Sequence, residues 1–253
     1  MHLNFSLSGL ICLFFPPCAL KNFFLRFFGW KVPSGCRIGF SWINARHVEL
    51  RGFNTIGHGN FIALDTLLLH ERSYIQHLNR ATGPLWLVLC ENAGIGNQNK
   101  ITRGPKGVSW GHAMLKLGKF SKITVGHIID CTRSVSFGDY SILAGNGSQL
   151  WTHGYLHAPA GLDRFRIDGS IRVGNNVYIG SACVLTSGVR VADAVTIGAA
   201  SCVSRSLDRV GLYVSQPLRF VELDYDQAAS RHPPVSIDGL VERVVHKHIP
   251  KGP

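Results

Sequence analysis

Seven apolar residues, Ile167, Val173, Ile179, Leu185, Val191, Ile197 and Val203, follow one another at intervals of six. Neither a helix, with about 3.6 residues per turn, nor a strand that alternates every second residue produces that interval. It specifies a parallel β-helix of triangular cross-section, with one apolar side chain from each side pointing inward. The next position holds Gly174, Gly180, Thr186, Ala192 and Gly198, and the fourth holds Val177, Cys183, Val189, Val195 and Ser201. Small residues let the backbone turn, and small or branched ones fill the corner. Three such sides close one coil. Val173 is therefore expected over Val191, Ile179 over Ile197 and Leu185 over Val203, at the spacing of about 4.8 Å between paired strands.

Toward the N-terminus, Val125, Cys131, Phe137 and Leu143 keep the same interval, with Ile129, Val135 and Ser141 at the fourth positions. Between Leu143 and Ile167 the rung positions fall on Gln149, Tyr155 and Gly161, so residues 154–166 are expected to leave the coil as an irregular loop. Loops that interrupt a solenoid commonly carry its function. Fainter hexads run through Leu89, Ile95 and Ile101, and through Ile56, Ile62 and Leu68, separated by irregular stretches at 70–84 and 104–120. The expected organisation is an apolar segment at 1–35, a solenoid at 36–220 and a tail at 221–253 with a short helix near 240–248.

Charged residues make up 16% of the chain, against about 25% in ordinary domains, as inward rungs and turns demand. The formal charge is nonetheless +11, which suits an anionic partner such as a phosphorylated cofactor or an acidic membrane face. Nucleic acid is not expected. The seven cysteines are odd in number and lack zinc-type or CxxC spacing, which fits a reducing cytoplasm. Cys131 and Cys183 fall on inward positions, where a thiol behaves as a small hydrophobe. Near the N-terminus, Phe23, Phe24, Phe27 and Phe28 recur at helical spacing. This short helix either caps the solenoid or lies on the inner face of a membrane as a peripheral contact.

Where the coil breaks, the run from Ser148 to His157 places His153 and His157 four residues apart beside Trp151 and Tyr155. A histidine at the mouth of a loop, with a pKa near neutrality, can serve as a general base. Spacing by four also suits two metal ligands on a helix, but nothing here predicts a helix.

The runs from Ile171 to Val189 and from Ile197 to Val203 resemble the closing coils of the hexapeptide-repeat acyltransferases, especially the sugar O-acetyltransferases of polysaccharide biosynthesis. The order of parts is similar as well: coil, histidine, loop, coils, then a tail in which Pro217 stands where that family has its terminal turn. The resemblance covers about 123–220. It implies an all-β fold, a left-handed parallel β-helix, assembled as a homotrimer with acetyl-CoA bound between subunits and no metal.

Residue by residue, His153 is similar to the family's catalytic histidine. It would take the proton from an acceptor hydroxyl as that oxygen attacks the thioester. Ser181 and Ala199 match positions that bond the pantetheine arm. Tyr178 stands where the family often has a tryptophan, and Arg205, Arg209 and Arg219 lie where the nucleotide phosphates would be. His127 and Asp130 resemble a His-x-x-Asp-Cys segment of some members and are expected to bind acceptor hydroxyls or to orient the base, with Trp151 and His157 also on the acceptor side. The acceptor implied is a sugar, a surface polysaccharide or its lipid-linked precursor. Acetylation of an amino-sugar nitrogen, a non-catalytic scaffold and a zinc enzyme of the γ-carbonic anhydrase type are the competing readings.

Overall fold

In a computed structural model, which describes residues 7–215, 227, 230 and 244–246, the chain winds as a left-handed parallel β-solenoid. Three ladders of apolar side chains fill its interior. One face stacks Ile38, Ile56, Ile75, Ile95, Ile123, Leu143, Ile179, Ile197 and Tyr213. The second stacks Ile43, Ile62, Ala81, Ile101, Ile129, Leu150, Leu185 and Val203. The third stacks Leu50, Leu69, Leu89, Leu117, Phe137, Val173 and Val191. Every ladder residue from Ile38 to Val203 is buried, and each such side chain contributes about 1.5–3 kcal/mol at most. The stacking of Val173 on Val191, Ile179 on Ile197 and Leu185 on Val203 is the one the six-residue interval specifies.

At the corner between the first and second faces the backbone turns, and its N–H groups need acceptors that a strand would otherwise supply. A buried polar ladder meets that need. The N–H of Asn60 donates to Ser41 Oγ, that of Asn79 to Asn60 Oδ1, that of Asn99 to Asn79 Oδ1 and that of His127 to Asn99 Oδ1. The series continues from Ser148 N to His127 Nδ1 and from Cys183 N to Ser148 Oγ.

The middle coils depart from the hexad phase. Ile123 and Ile129, rather than Val125 and Cys131, occupy the ladders. The wider corner at 131–134 then restores the phase at Phe137. Cys131 is fully buried beside the ladder, and Val125 is exposed. Ile167 is not a rung. It pairs with Gly154 in an antiparallel hairpin formed by His153–His157 and Arg164–Asp168, so the expected irregular loop is largely β-structure. The stretch 70–84 proves to be regular coil contributing Ile75 and Ala81. In the stretch 104–120, regular pairing returns at Met114–Leu117. At the early end, Leu67 and Leu69 point inward in place of Leu68. The segment near 240–248 contains a strand, Val244–His246, which runs parallel to Arg164–Asp168 and widens the hairpin to three strands.

Two helices, α1 (Leu7–Phe14) and α2 (Ala19–Phe27), close the N-terminal end. Cys12 and Leu25 are buried there. The fully buried Lys21 ammonium shares its three N–H donors among the carbonyls of Cys12, Phe15, Ile38 and Gly39. The opposite side exposes Phe14, Leu20, Phe23, Phe27 and Phe28, so the segment caps the solenoid and also presents an apolar surface. Among the described residues no helix is long and apolar enough to cross a membrane.

Candidate functional site

The site lies where the second face ends. Leu150 is the last ladder residue of its strand, Thr152 is buried at the corner, and His153 begins the hairpin that leaves the coil. One coil earlier, Asp130 ends Ile128–Asp130 at the same corner. The parallel register thus brings together two residues 23 positions apart, and His153 Nδ1 lies 2.9 Å from Asp130 Oδ2.

Asp130 is held from every side. Its Oδ2 accepts from the Thr152 hydroxyl at 2.5 Å and the Thr152 N–H at 3.0 Å, and its Oδ1 accepts from the Thr132 hydroxyl at 2.9 Å. Burial alone would raise the pKa of its carboxyl, but the bonds from His153, Thr152 and Thr132 outweigh burial and hold it below the ordinary value. With Asp130 ionised and offering only acceptors, His153 Nδ1 carries the proton and Nε2 keeps a lone pair. The same bond to Asp130 raises the His153 pKa against the opposing effect of burial. The side chain of His153 retains 25% of its accessibility, against 7% for Asp130. The imidazole is reachable and its partner is enclosed.

A second layer frames the imidazole. Trp151 and Tyr155 meet it edge-on, at centroid distances of 6.2 and 5.9 Å. On the returning hairpin strand, Arg166 and Asp168 form a fully buried bidentate pair at 2.8 and 3.2 Å. Trp110 Nε1 donates to Asp168 Oδ2 at 3.1 Å, and Arg166 Nη1 donates to the Val108 carbonyl at 2.7 Å. The Arg133 guanidinium stacks 4.1 Å from the centre of the Trp110 ring, while Arg103 Nη2 donates to the carbonyls of Trp110 and Gly111. The excursion at 104–113 is thereby clamped to the hairpin. Trp110, Arg103, Arg133, Arg166 and Asp168 were not found by sequence reasoning, because their contacts join distant positions with no local pattern.

Of the other expected residues, His127 stands apart. It is fully buried in the corner ladder, with Nδ1 accepting from Ser148 and Nε2 against the Thr124 hydroxyl. Both ring nitrogens are thus engaged within the fold. Burial pushes its pKa down to about 4, so it stays neutral. Trp151 is half-buried and bonds Gln149, and His157 is exposed at the far end of the hairpin strand.

Ser181 and Ala199 occupy successive coils at the corner before the second face, with Ala200 N donating to the Ser181 carbonyl at 2.8 Å. A side of the prism separates them from His153. Tyr178 is exposed between Ile142 and Thr196, and Arg205 and Arg209 are exposed on the last coil, between Val203 and Tyr213. Gly145, at φ +66°, backs Ser181 so closely that a Cβ there would lie 1.7 Å from the Ser181 Oγ. Arg219 and Pro217 lie outside the described residues. Burial raises the pKa values of Cys131 and Cys183 and removes them as nucleophiles. Among the described residues no three His, Cys, Asp or Glu side chains are grouped to hold a metal ion.

No family model matches the chain, and no curated protein matches it. Among solved structures it is similar to a hexapeptide-repeat acetyltransferase, VCA0836 of Vibrio cholerae O1 biovar eltor, complexed with acetyl-CoA. That match has 18% identity over 43% of this chain and 59% of the other, at a TM-score of 0.37. The polysialic acid O-acetyltransferase OatWY is similar at 14% identity over 76% and 83% of the two chains, with a TM-score of 0.47. The polysialic-acid-specific acetyltransferase NeuO is similar at 17% identity over 71% and 78%, with a TM-score of 0.39. The chain thus spans about three fifths of the Vibrio protein's length. The fold is established by the chain's own ladders and is that of the hexapeptide-repeat left-handed β-helix.

Proposed function

We propose that this protein is an acetyl-CoA-dependent O-acetyltransferase acting on a hydroxyl of a sugar, a surface polysaccharide or its lipid-linked precursor. The observation that carries the reading is the dyad of His153 and Asp130. An alcohol is a poor nucleophile at neutral pH, and removal of its proton as it reacts avoids a free alkoxide. His153 Nε2 accepts that proton. Asp130 fixes the ring through Nδ1–H and stabilises the imidazolium that forms, as a buried carboxylate does in catalytic triads. The Trp151 and Tyr155 rings stand beside the base, where aromatic surface suits the apolar face of a sugar ring.

Acetyl-CoA supplies the activated acyl group as a thioester. The residues present fit such a donor. Ser181 and Ala199 give a line of small side chains along one corner, beside the exposed Tyr178 and ahead of the cationic Arg205. Because one side of the prism separates this corner from His153 in a single chain, a second copy must bring donor corner and base together. A homotrimer with grooves shared between subunits meets that need. The exposed face of Phe14, Leu20, Phe23, Phe27 and Phe28 supports a peripheral contact with the cytoplasmic membrane surface, and liposome co-sedimentation checks it.

Incubation with labelled acetyl-CoA and the producing cell's glycans and lipid-linked sugars tests the reading. Label is expected in an alkali-labile ester on a sugar. Label in an alkali-stable amide would shift the reading to an amino-sugar N-acetyltransferase, and no transfer together with no CoA binding would leave a scaffold. His157→Ala should reduce turnover less than His153→Ala, because His157 stands at the hairpin's exposed end.

A further inference from the structure

The first face of the prism carries a second concave feature, separate from the dyad. Over the early coils a groove of about 680 Å³ is lined by Arg37, Arg72, Tyr74, His58 and His77, among others, and none of its lining residues is acidic. A hollow of about 170 Å³ continues it across Lys122 and Asn97, and the two share Tyr74 and Gln76. The strands beneath run from Arg37–Ile38 to Lys122–Val125 in four parallel steps, so the combined track is roughly 19 Å long at the usual strand spacing.

Its chemistry is one-signed. Arg37 and Lys122 have no acidic partner among the described residues, and Glu71 approaches Arg72 only to 3.8 Å with both side chains solvated. His58 and His77 stack with their rings 5.6 Å apart and nearly parallel. Each ring accepts a backbone N–H at Nδ1, from Phe40 at 3.1 Å and from His58 at 3.0 Å. That bond fixes both imidazoles with the proton on Nε2, so the stack adds two hydrogen-bond donors and no acceptor. Tyr74 lies flat on the strand beneath it. A Cβ on Gly94 would fall 2.1 Å from the end of its ring, so glycine there is what lets the ring settle into the track.

We propose that this track binds an extended anionic chain whose phosphate or carboxylate groups are spaced along its length. Arg37, Arg72 and Lys122 pair with successive charges, the histidine stack donates to oxygens between them, and Tyr74 supplies a flat contact for a ring. The proposal does not depend on acyl transfer.

Isothermal titration of the full-length protein tests it with hexagalacturonate for carboxylates, tripolyphosphate for phosphates and maltohexaose as a neutral control. Binding of at least one anion is expected to weaken as salt rises and to fall at least tenfold in Arg37→Ala/Arg72→Ala, with maltohexaose silent. The charge-matched control Arg172→Ala/Arg190→Ala removes two neighbouring exposed arginines from another face and should leave affinity within about twofold. His153→Ala should leave it unchanged as well. Equal losses in both double variants would reduce the effect to net charge and overturn the site, as would an absence of binding by either anion at low salt. The milder Arg37→Gln/Arg72→Gln repeats the measurement should the alanine pair fold poorly, and retained affinity there also overturns the proposal.

Discussion

The coils from Ile171 to Val203 and the coils just before them are built from the same hexads, yet they do different work. In the former, equivalent residues recur after 18 positions, as in Asn175 bonding Asp193, and nothing leaves the coil. In the latter, equivalent corner positions are 28 residues apart from Asn99 to His127 and 35 apart from Ser148 to Cys183. The extra residues form the clamp around Trp110 and the hairpin that begins at His153. The regular coils bury apolar rungs and expose short turns. The interrupted coils bury Asp130, Arg166 and Asp168, charged groups that are costly to enclose unless fully bonded. A solenoid of this kind takes its rigidity from uniform repeats and its chemistry from the places where the repeat is broken.

That contrast makes unequal demands on substitution. Ile179→Asp sets an unpaired carboxylate between Leu143 and Ile197, at a cost of several kcal/mol that rivals the stability of a whole domain. It should abolish soluble, cooperatively melting protein, and a variant that melts like the parent would break the ladder assignment. In the interrupted coils, Asp168→Ala removes the carboxylate that faces the buried Arg166 guanidinium and should cost about 3–5 kcal/mol in denaturant unfolding. Asp168→Asn should recover part of that loss by keeping an acceptor for Trp110.

Asp130→Asn sharpens the comparison through pH. The raised His153 pKa means that the neutral, proton-accepting form prevails only above it, so turnover should rise with pH through that value. Loss of the carboxylate removes the main cause of the raised pKa. The acid limb of the rate profile should therefore move to lower pH, while turnover on the plateau falls because the ring loses its fixed orientation. An unmoved limb would detach the dyad from the reaction.

The smallest effect belongs to the polar ladder. His127 has a folded pKa of about 4, below its unfolded value near 6.5. Its contribution is intact above about pH 6.5 and is lost as pH falls from there toward 4, because the unfolded chain takes up the proton first. His127→Asn extends the series of Asn60, Asn79 and Asn99 and should flatten melting temperature against pH across that window.

The same contrast decided how much could be read from the sequence. Val173, Ile179 and Leu185 were legible because each obeys one spacing and one burial pattern. Ile123 and Ile129 were not, since Val125 and Cys131 satisfy the same interval and only the widened corner at 131–134 reveals the true phase. His153 stands out at the break in the repeat, and the sequence gives Asp130 two readings, orienting that ring or binding acceptor. Their contact is visible only when one coil is stacked on the next. The contact of Trp110 with Asp168 spans 58 positions, and no periodicity links them. His127 shows the opposite case: its neighbours match a motif, while its membership of a ladder begun by Ser41 is visible only when the coils are aligned.

The central claim is that the broken repeat at His153 supplies the base. Acetyl-transfer turnover of His153→Ala, measured at saturating donor and acceptor beside the direct affinity for acetyl-CoA, tests it most directly. Turnover should fall by roughly 10²–10⁴-fold with affinity nearly unchanged. Near-normal turnover in that variant would contradict the account.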